Sequence, residues 1–256
     1  ALGLEKGQTL PSESTIRRVL QELDHATGAV LTQQRVADKS NEIPALRELL
    51  EPLDLDGAVI TADAMHTQVD TAEWIRDQGG HYVLTVKGNQ KTLHRTLKAL
   101  PWKSVPSVSS VDTGHGRRVR RTVKAVEAPA WVGFPAAAQV LQVRRTRTLK
   151  GRKRVEVVYL ICSLRMTDAQ PEAVAAWIQG HWGIENRLHW VRDMVFDEDR
   201  HQLRTRNGPQ VMAALRNLAI SLIRLVHGTR TSIASTIRSL SRRPKRAIRL
   251  LTQPTT

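Results

Sequence analysis

Apolar and polar positions along this chain switch between two periods, about 3.6 and 2 residues, and the switches mark its elements. Ile16, Val19, Leu20 and Leu23 repeat at helical spacing behind Ser12, a good N-cap, and predict a short helix opening at Pro11. After the turn Asp24-His-Ala-Thr-Gly28, residues 29–36 lean towards a strand. Ser40-Asn-Glu-Ile-Pro opens a second helix, with Leu46, Leu49 and Leu50 on one face. Ala58 to Ala62 is a continuous apolar run, as in a strand buried on both faces. A helix over 67–78 stops at Gly79-Gly80, a strand follows at 81–86, and another helix at 91–100. Strand–helix–strand–helix with short connections implies βαβ packing.

Pro101 ends the helical period. Residues 108–111, 117–126, 138–147 and 154–164 read as strands separated by Gly or Pro, with Leu149-Lys-Gly-Arg-Lys as an exposed hairpin tip. This stretch predicts a β-rich insertion. Helices resume after Thr167: one at 171–179, weakened at Gly180 and Gly183, then a pattern continuing past Glu185 to about Val195. The last long helix starts at Asn207-Gly-Pro-Gln210, which resembles a capping box, and runs through Leu215, Leu218, Leu222 and Leu225. The basic stretch from Arg242 to Arg249 reads as a mobile tail.

The 256 residues hold 41% apolar and 25% charged residues, a globular balance. No apolar run reaches the roughly 18 residues of a membrane span. The first residues are too polar for a signal peptide. The single cysteine, Cys162, lies in an apolar run and reads as a buried inert thiol, in keeping with a cytoplasmic setting. A formal net charge of +15 implies a polyanionic partner. The excess is clustered at Arg117-Arg118, Arg120-Arg121, Arg144 to Arg154 and Arg242 to Arg249, which suggests dedicated contact surfaces. With only 4% aromatic residues and no strand bearing stacking pairs, an RNA-binding module is the weaker reading.

Candidate chemistry sits on two carboxylates. Asp63 ends the buried strand, at the edge where open α/β sheets expose their reactive crevice. His66 follows three residues later, and Lys87-Gly-Asn-Gln90 closes the next strand at the same edge. On the later helix, His181, Glu185, His189 and Arg192 fall within about 80° of one another at 100° per residue. The spacing of His181, Glu185 and His189 also suits zinc, but the His-Glu-x-x-His order and cysteine support are missing. Carboxylates in a strongly basic chain point to Mg²⁺-assisted chemistry on phosphates, for which three or more carboxylates usually hold the ions; Asp63 and Glu185 supply two.

Three blocks carry a family resemblance: Leu55 to Gln68, Tyr82 to Gln90, and His181 to Arg200 with its Ile-Glu-Asn-Arg-Leu-His-Trp core. In this order they resemble bacterial insertion-sequence transposases of the DDE class, ISAs-type branch. The resemblance implies an α/β fold with an RNase H-like mixed sheet flanked by helices and a β-rich insertion before the helix of the catalytic Glu. It implies that Asp63 and Glu185 are the second and third catalytic acids and bind Mg²⁺, with Mn²⁺ as a substitute. It also implies that Lys87, Asn89, Arg192, His66 and His189 face DNA. The partners would be the element's terminal inverted repeats and target DNA, handled by a homodimer in the synaptic complex.

The block with the family's first catalytic Asp has no counterpart here, and Asp24 aligns with a turn, so an impaired transposase or a non-catalytic DNA-binding remnant is expected. Asp193, Asp197, Glu198 and Asp199 are the acids near Glu185 in sequence that could act as a third. The expected organisation is a helical DNA-binding remnant over 1–23, a first part of the core over 24–100, and the insertion over 101–166. Core helices over 167–228 and a basic tail over 229–256 complete it.

Overall fold

The computed structural model describes residues 19–23, 30–35, 42–114, 116–184, 188, 190–203, 205, 207–228 and 231–252. They fall into two compact units, 53–181 and a second made of the flanking segments.

The first unit is built on one six-stranded mixed sheet. Its strands are β3 (Val59–Ala62), β4 (His81–Val86), β5 (Val108–Gly114), β6 (Arg117–Glu127), β7 (Gln139–Leu149) and β8 (Arg152–Cys162), in spatial order β3-β4-β8-β7-β6-β5. Only β3 and β4 run parallel, as their crossover helix α2 (Val69–Asp77) requires. The other pairings are antiparallel. The four strands expected as an insertion thus extend the β3–β4 sheet itself.

Residue choice explains which half of each long strand is covered. Tyr82, Val83, Leu84 and Val86 on β4 meet Tyr159 to Cys162 on β8 and Val140, Leu141 and Val143 on β7, all buried. Leu93 and Leu97 of α3 (Lys91–Lys98) are buried as well. Beyond Val143 and before Val158 the same strands turn polar and basic, and their residues are mostly exposed. The helix α4 (Pro171–Ile184) runs through Gly180 and Gly183 without a break, with Val174 and Ile178 buried. Gly79 adopts φ +78 at the end of α2, where a Cβ would stand 2.7 Å from an Asp56 carboxylate oxygen.

In the second unit, β1 (Val19–Leu23) pairs antiparallel with β2 (Val30–Arg35), from Val19↔Arg35 to Leu23↔Val30. This corrects the helix expected to reach Leu23. A short apolar repeat is a weak helix former, and an adjacent β-prone segment offers its backbone a full ladder. The helix α1 (Glu42–Leu50) follows, burying Ala45, Leu46, Leu49 and Leu50. The helices α5 (Trp190–Val195), α6 (Gly208–His227), α7 (Ile233–Ser241) and α8 (Pro244–Thr252) complete the unit. Leu188, Val191, Ile220, Ile223 and Ile233 form its core, with Phe196, Ile237 and Leu250 packed against them. The stretch expected as a mobile tail is therefore mostly helical, and Ile237 before it and Leu250 after it pack against this core. Asn207 precedes α6 as expected, but its side chain accepts no capping hydrogen bond.

Candidate active site

Asp63 follows β3 directly, in an extended conformation (φ −67, ψ 163), and begins a single 3₁₀ turn over Ala64–His66. An Asp here commonly caps the turn with its side chain. This one makes no such bond, so the carboxylate stays available at the sheet edge, 69% exposed. The next strand ends beside it, with exposed Lys87 extended at the close of β4.

Side-chain bonds lace the two strand ends together. Asn89 Nδ2 donates to Ala64 O at 2.5 Å, and Gln90 Nε2 donates to Thr67 O at 2.8 Å and Gln68 Oε1 at 3.2 Å. Thr67, fully buried, donates its hydroxyl to Thr85 O at 2.6 Å. The loop bearing Asp63 is therefore pinned to β4 and to the turn after it.

The partner that sequence reasoning missed is His181. Its Nε2 lies 3.5 Å from Asp63 Oδ1, and its Nδ1 lies 3.2 Å from Thr61 Oγ1. The spacing of four between His181 and Glu185 was visible in the sequence. The contact across more than a hundred residues to Asp63 was not. The His181 imidazole, as hydrogen-bond donor, holds the Asp63 carboxyl below its usual range; partial burial opposes this, and the charges of His181, Lys87 and His66 add to it. His66 is buried, 4% exposed, and its Nδ1 has no hydrogen-bond partner. Burial pushes its pKa down, against the pull of Asp63.

Glu185 and His189 lie outside the described residues. Arg192, expected to face DNA, is 5% exposed. Its Nε and Nη2 fork onto the two oxygens of Glu198 at 2.5 and 2.6 Å, and Arg216 Nη1 reaches Glu198 Oε1 at 3.2 Å. A DNA phosphate would have to break that buried cluster to reach Arg192. Glu198, one of the acids near Glu185 in sequence, is thereby committed to two arginines.

Asp63 supplies a hard oxygen donor of the kind Mg²⁺ takes. One carboxylate beside imidazoles falls short of a magnesium site, and no group of three or more His, Cys, Asp and Glu able to hold a metal occurs among the described residues. The second acid of the resemblance, Glu185, would have to supply further oxygens.

A mixed sheet flanked by helices, with an uncapped acid at a strand end in a strongly basic chain, defines an α/β protein. The chain belongs to the transposase DDE domain family, which it matches over residues 17–222. It is 35% identical over 211 residues to YncI of Escherichia coli O157:H7, covering 77% of this chain and 53% of that protein. It is 34% identical over 209 residues to the H repeat-associated YhhI of Escherichia coli K12, covering 76% and 54%. Both relatives are named as candidate transposases, and the chain spans about half of their length. Among solved structures, a piggyBac transposase synaptic complex with hairpin DNA superposes with a TM-score of 0.48 and 16% identity, over 93% of this chain and 48% of that one. No helix among the described residues is long and apolar enough to cross a membrane.

Proposed function

We propose that this chain carries the catalytic centre of an insertion-sequence transposase that cuts DNA at the element's ends and joins them to target DNA in the cytoplasm. The observation that carries this reading is the Asp63 edge: a carboxylate uncapped, kept ionised by His181 and Lys87, at the end of a buried strand. Asp63 and Glu185 are the proposed ligands of Mg²⁺ or Mn²⁺. When bound, the ion would lower the pKa of the attacking water or hydroxyl and stabilise the leaving oxygen. The chain's own contribution is positioning. Asn89 and Gln90 hold the Asp63 loop, His181 orients the carboxylate, and Lys87 offers its ammonium to a phosphate. His189 remains a proposed DNA contact, and two copies are proposed to pair the two ends. With two named acids rather than three, these residues by themselves are expected to cut weakly.

The test is cleavage of duplex DNA bearing the element's ends, with Mg²⁺ and with Mn²⁺, by the wild-type protein and by Asp63→Asn and Glu185→Gln. Metal-dependent nicking lost in both variants supports the reading. Binding without nicking assigns a non-catalytic DNA-binding role, and nicking that survives both changes overturns the assignment of the acids.

A further inference from the structure

The basic half of the six-stranded sheet has no role in the site described above. β8 pairs with β4 only from Val86↔Tyr159 to Val83↔Cys162. Arg152 to Val158, with their partners on β7, β6 and β5, therefore run on past the end of β4. They leave the sheet at the edge that carries Asp63 and Lys87. At about 3.3 Å per residue, Glu156 lies roughly 10 Å and Arg152 roughly 23 Å beyond Tyr159.

Strand register also fixes which side chains share a face. Thr61 pairs with Val83, and Val83 with Cys162, so alternation places Asp63 and Lys87 on the face of Val158, Arg154 and Arg152. Across β7 and β6 that face continues through Arg145, Arg147, Arg121 and Arg117. Six arginines thus share one surface with two acids, Asp112 and Glu156. Arg121 bonds Asp112, and Arg145 stands 3.9 Å from Glu156. Arg121 lies in register opposite Arg145, and Arg147 opposite Arg154. Like charges directly opposite destabilise a sheet. The Nε atoms of Arg121, Arg145 and Arg147 are buried with no hydrogen-bond partner. Val119, opposite Arg147 in register on this same face, is only 4% exposed this far out on the arm, and arginine stems are apolar enough to lie over such a residue. An arrangement this costly in the free protein gains what it lacks when anions settle on it.

We propose that this arginine ladder is a track for the phosphate backbone of a DNA duplex, leading outward from Asp63; it rests on the reading above that the protein acts on DNA. Guanidinium forks suit phosphate oxygens. Phosphates recur every 3.4 Å along each strand's axis, so the arm reaches about three to seven base pairs from the reacting edge. The opposite face of the arm is less suited, because Val111, Val155 and Val157 stand exposed among its basic residues.

The test uses the whole chain and a fluorescein-labelled duplex, with anisotropy read across a salt series. Arg147→Gln/Arg154→Gln removes two guanidiniums that oppose each other in register. Binding should weaken roughly 60-fold at about 0.1 M salt, and the salt slope should drop by about 2, since each phosphate contact carries about 0.9. Arg147→Lys/Arg154→Lys should keep most of the affinity, and both variants should melt no lower than wild type. If wild type binds duplex and the glutamine variant binds equally well with the same slope, the track is overturned while the transposase reading stands. Equal binding of wild type to anionic vesicles and to duplex also overturns it. Loss of metal-dependent nicking in Asp63→Asn is scored separately, so failure of the catalytic reading is seen even where the arm binds DNA.

Discussion

Replacing Glu198 by Ala would leave two arginines without their shared counter-ion. Glu198 is 5% exposed, Arg192 5% and Arg216 6%, so water cannot take over the missing interactions. Three charge-assisted contacts are lost: two from the Arg192 fork and one from Arg216. Breaking a buried pair by removing one partner typically costs about 3–5 kcal/mol, because the remaining charge stays desolvated. Here two cations are stranded, which argues for the upper end, about 5 kcal/mol. The cluster joins α5 to the 3₁₀ turn at Glu198–Arg200 and to α6, so the cost falls on the core around Leu188, Val191 and Ile220. At about 2–4 °C per kcal/mol for a chain of this size, the melting temperature should fall by roughly 10–20 °C. Urea denaturation followed by far-UV circular dichroism measures the loss. The apolar triple change Arg192→Met/Glu198→Leu/Arg216→Met should sit within about 1–2 kcal/mol of wild type, since it strands no charge. A loss below about 1 kcal/mol for Glu198→Ala would refute the claim that this acid neutralises both arginines.

Stability should also depend on pH through the Asp63 edge. His66 has a depressed pKa, so its contribution is complete above the ordinary value of 6.5 and is lost as pH falls through the lower folded value. Asp63, also depressed, adds a second loss starting below its ordinary 3.8. Melting temperatures should therefore decline on acidification from about pH 6.5, and His66→Gln should flatten that first limb; a flat wild-type profile would contradict the burial of a neutral imidazole. Asn89→Ala should cost about 1 kcal/mol for its lost bond to Ala64 and should raise hydrogen exchange in the Asp63 turn, with unchanged exchange ruling out the brace. Cys162 is buried and its thiol is pushed up to about 11 by that burial, so maleimide should label it only on unfolding, and rapid labelling of the native protein would contradict its placement.

Much of the sheet was legible because Gly and Pro punctuate it and its apolar residues cluster. β4, β6, β7 and β8 appear within a few residues of the stretches that alternate or run apolar. What sequence could not show was that the later strands extend the same sheet, since pairing order depends on contacts far apart along the chain. The strand at Val19–Leu23 was hidden by apolar residues that also fit a helical repeat. The placement of Asp63 and Lys87 at one edge was legible from the strand ends alone, because parallel neighbours finish at one edge. His181 as the partner of Asp63 was out of reach, and so was the use of Asn89 in pinning the loop. Arg192 showed only as a cation on a helical stripe. Its commitment to Glu198 depends on a turn whose direction periodicity does not encode.

The sharpest test of the catalytic assignment is a double-mutant cycle on Mn²⁺ affinity, read by electron paramagnetic resonance, for Asp63→Asn, Glu185→Gln and the pair. If both carboxylates hold the same ion, each single change should weaken binding at least about tenfold, or 1.4 kcal/mol, and the double change should cost clearly less than the sum. Losses that simply add, or single variants that bind Mn²⁺ as wild type does, would contradict a shared metal.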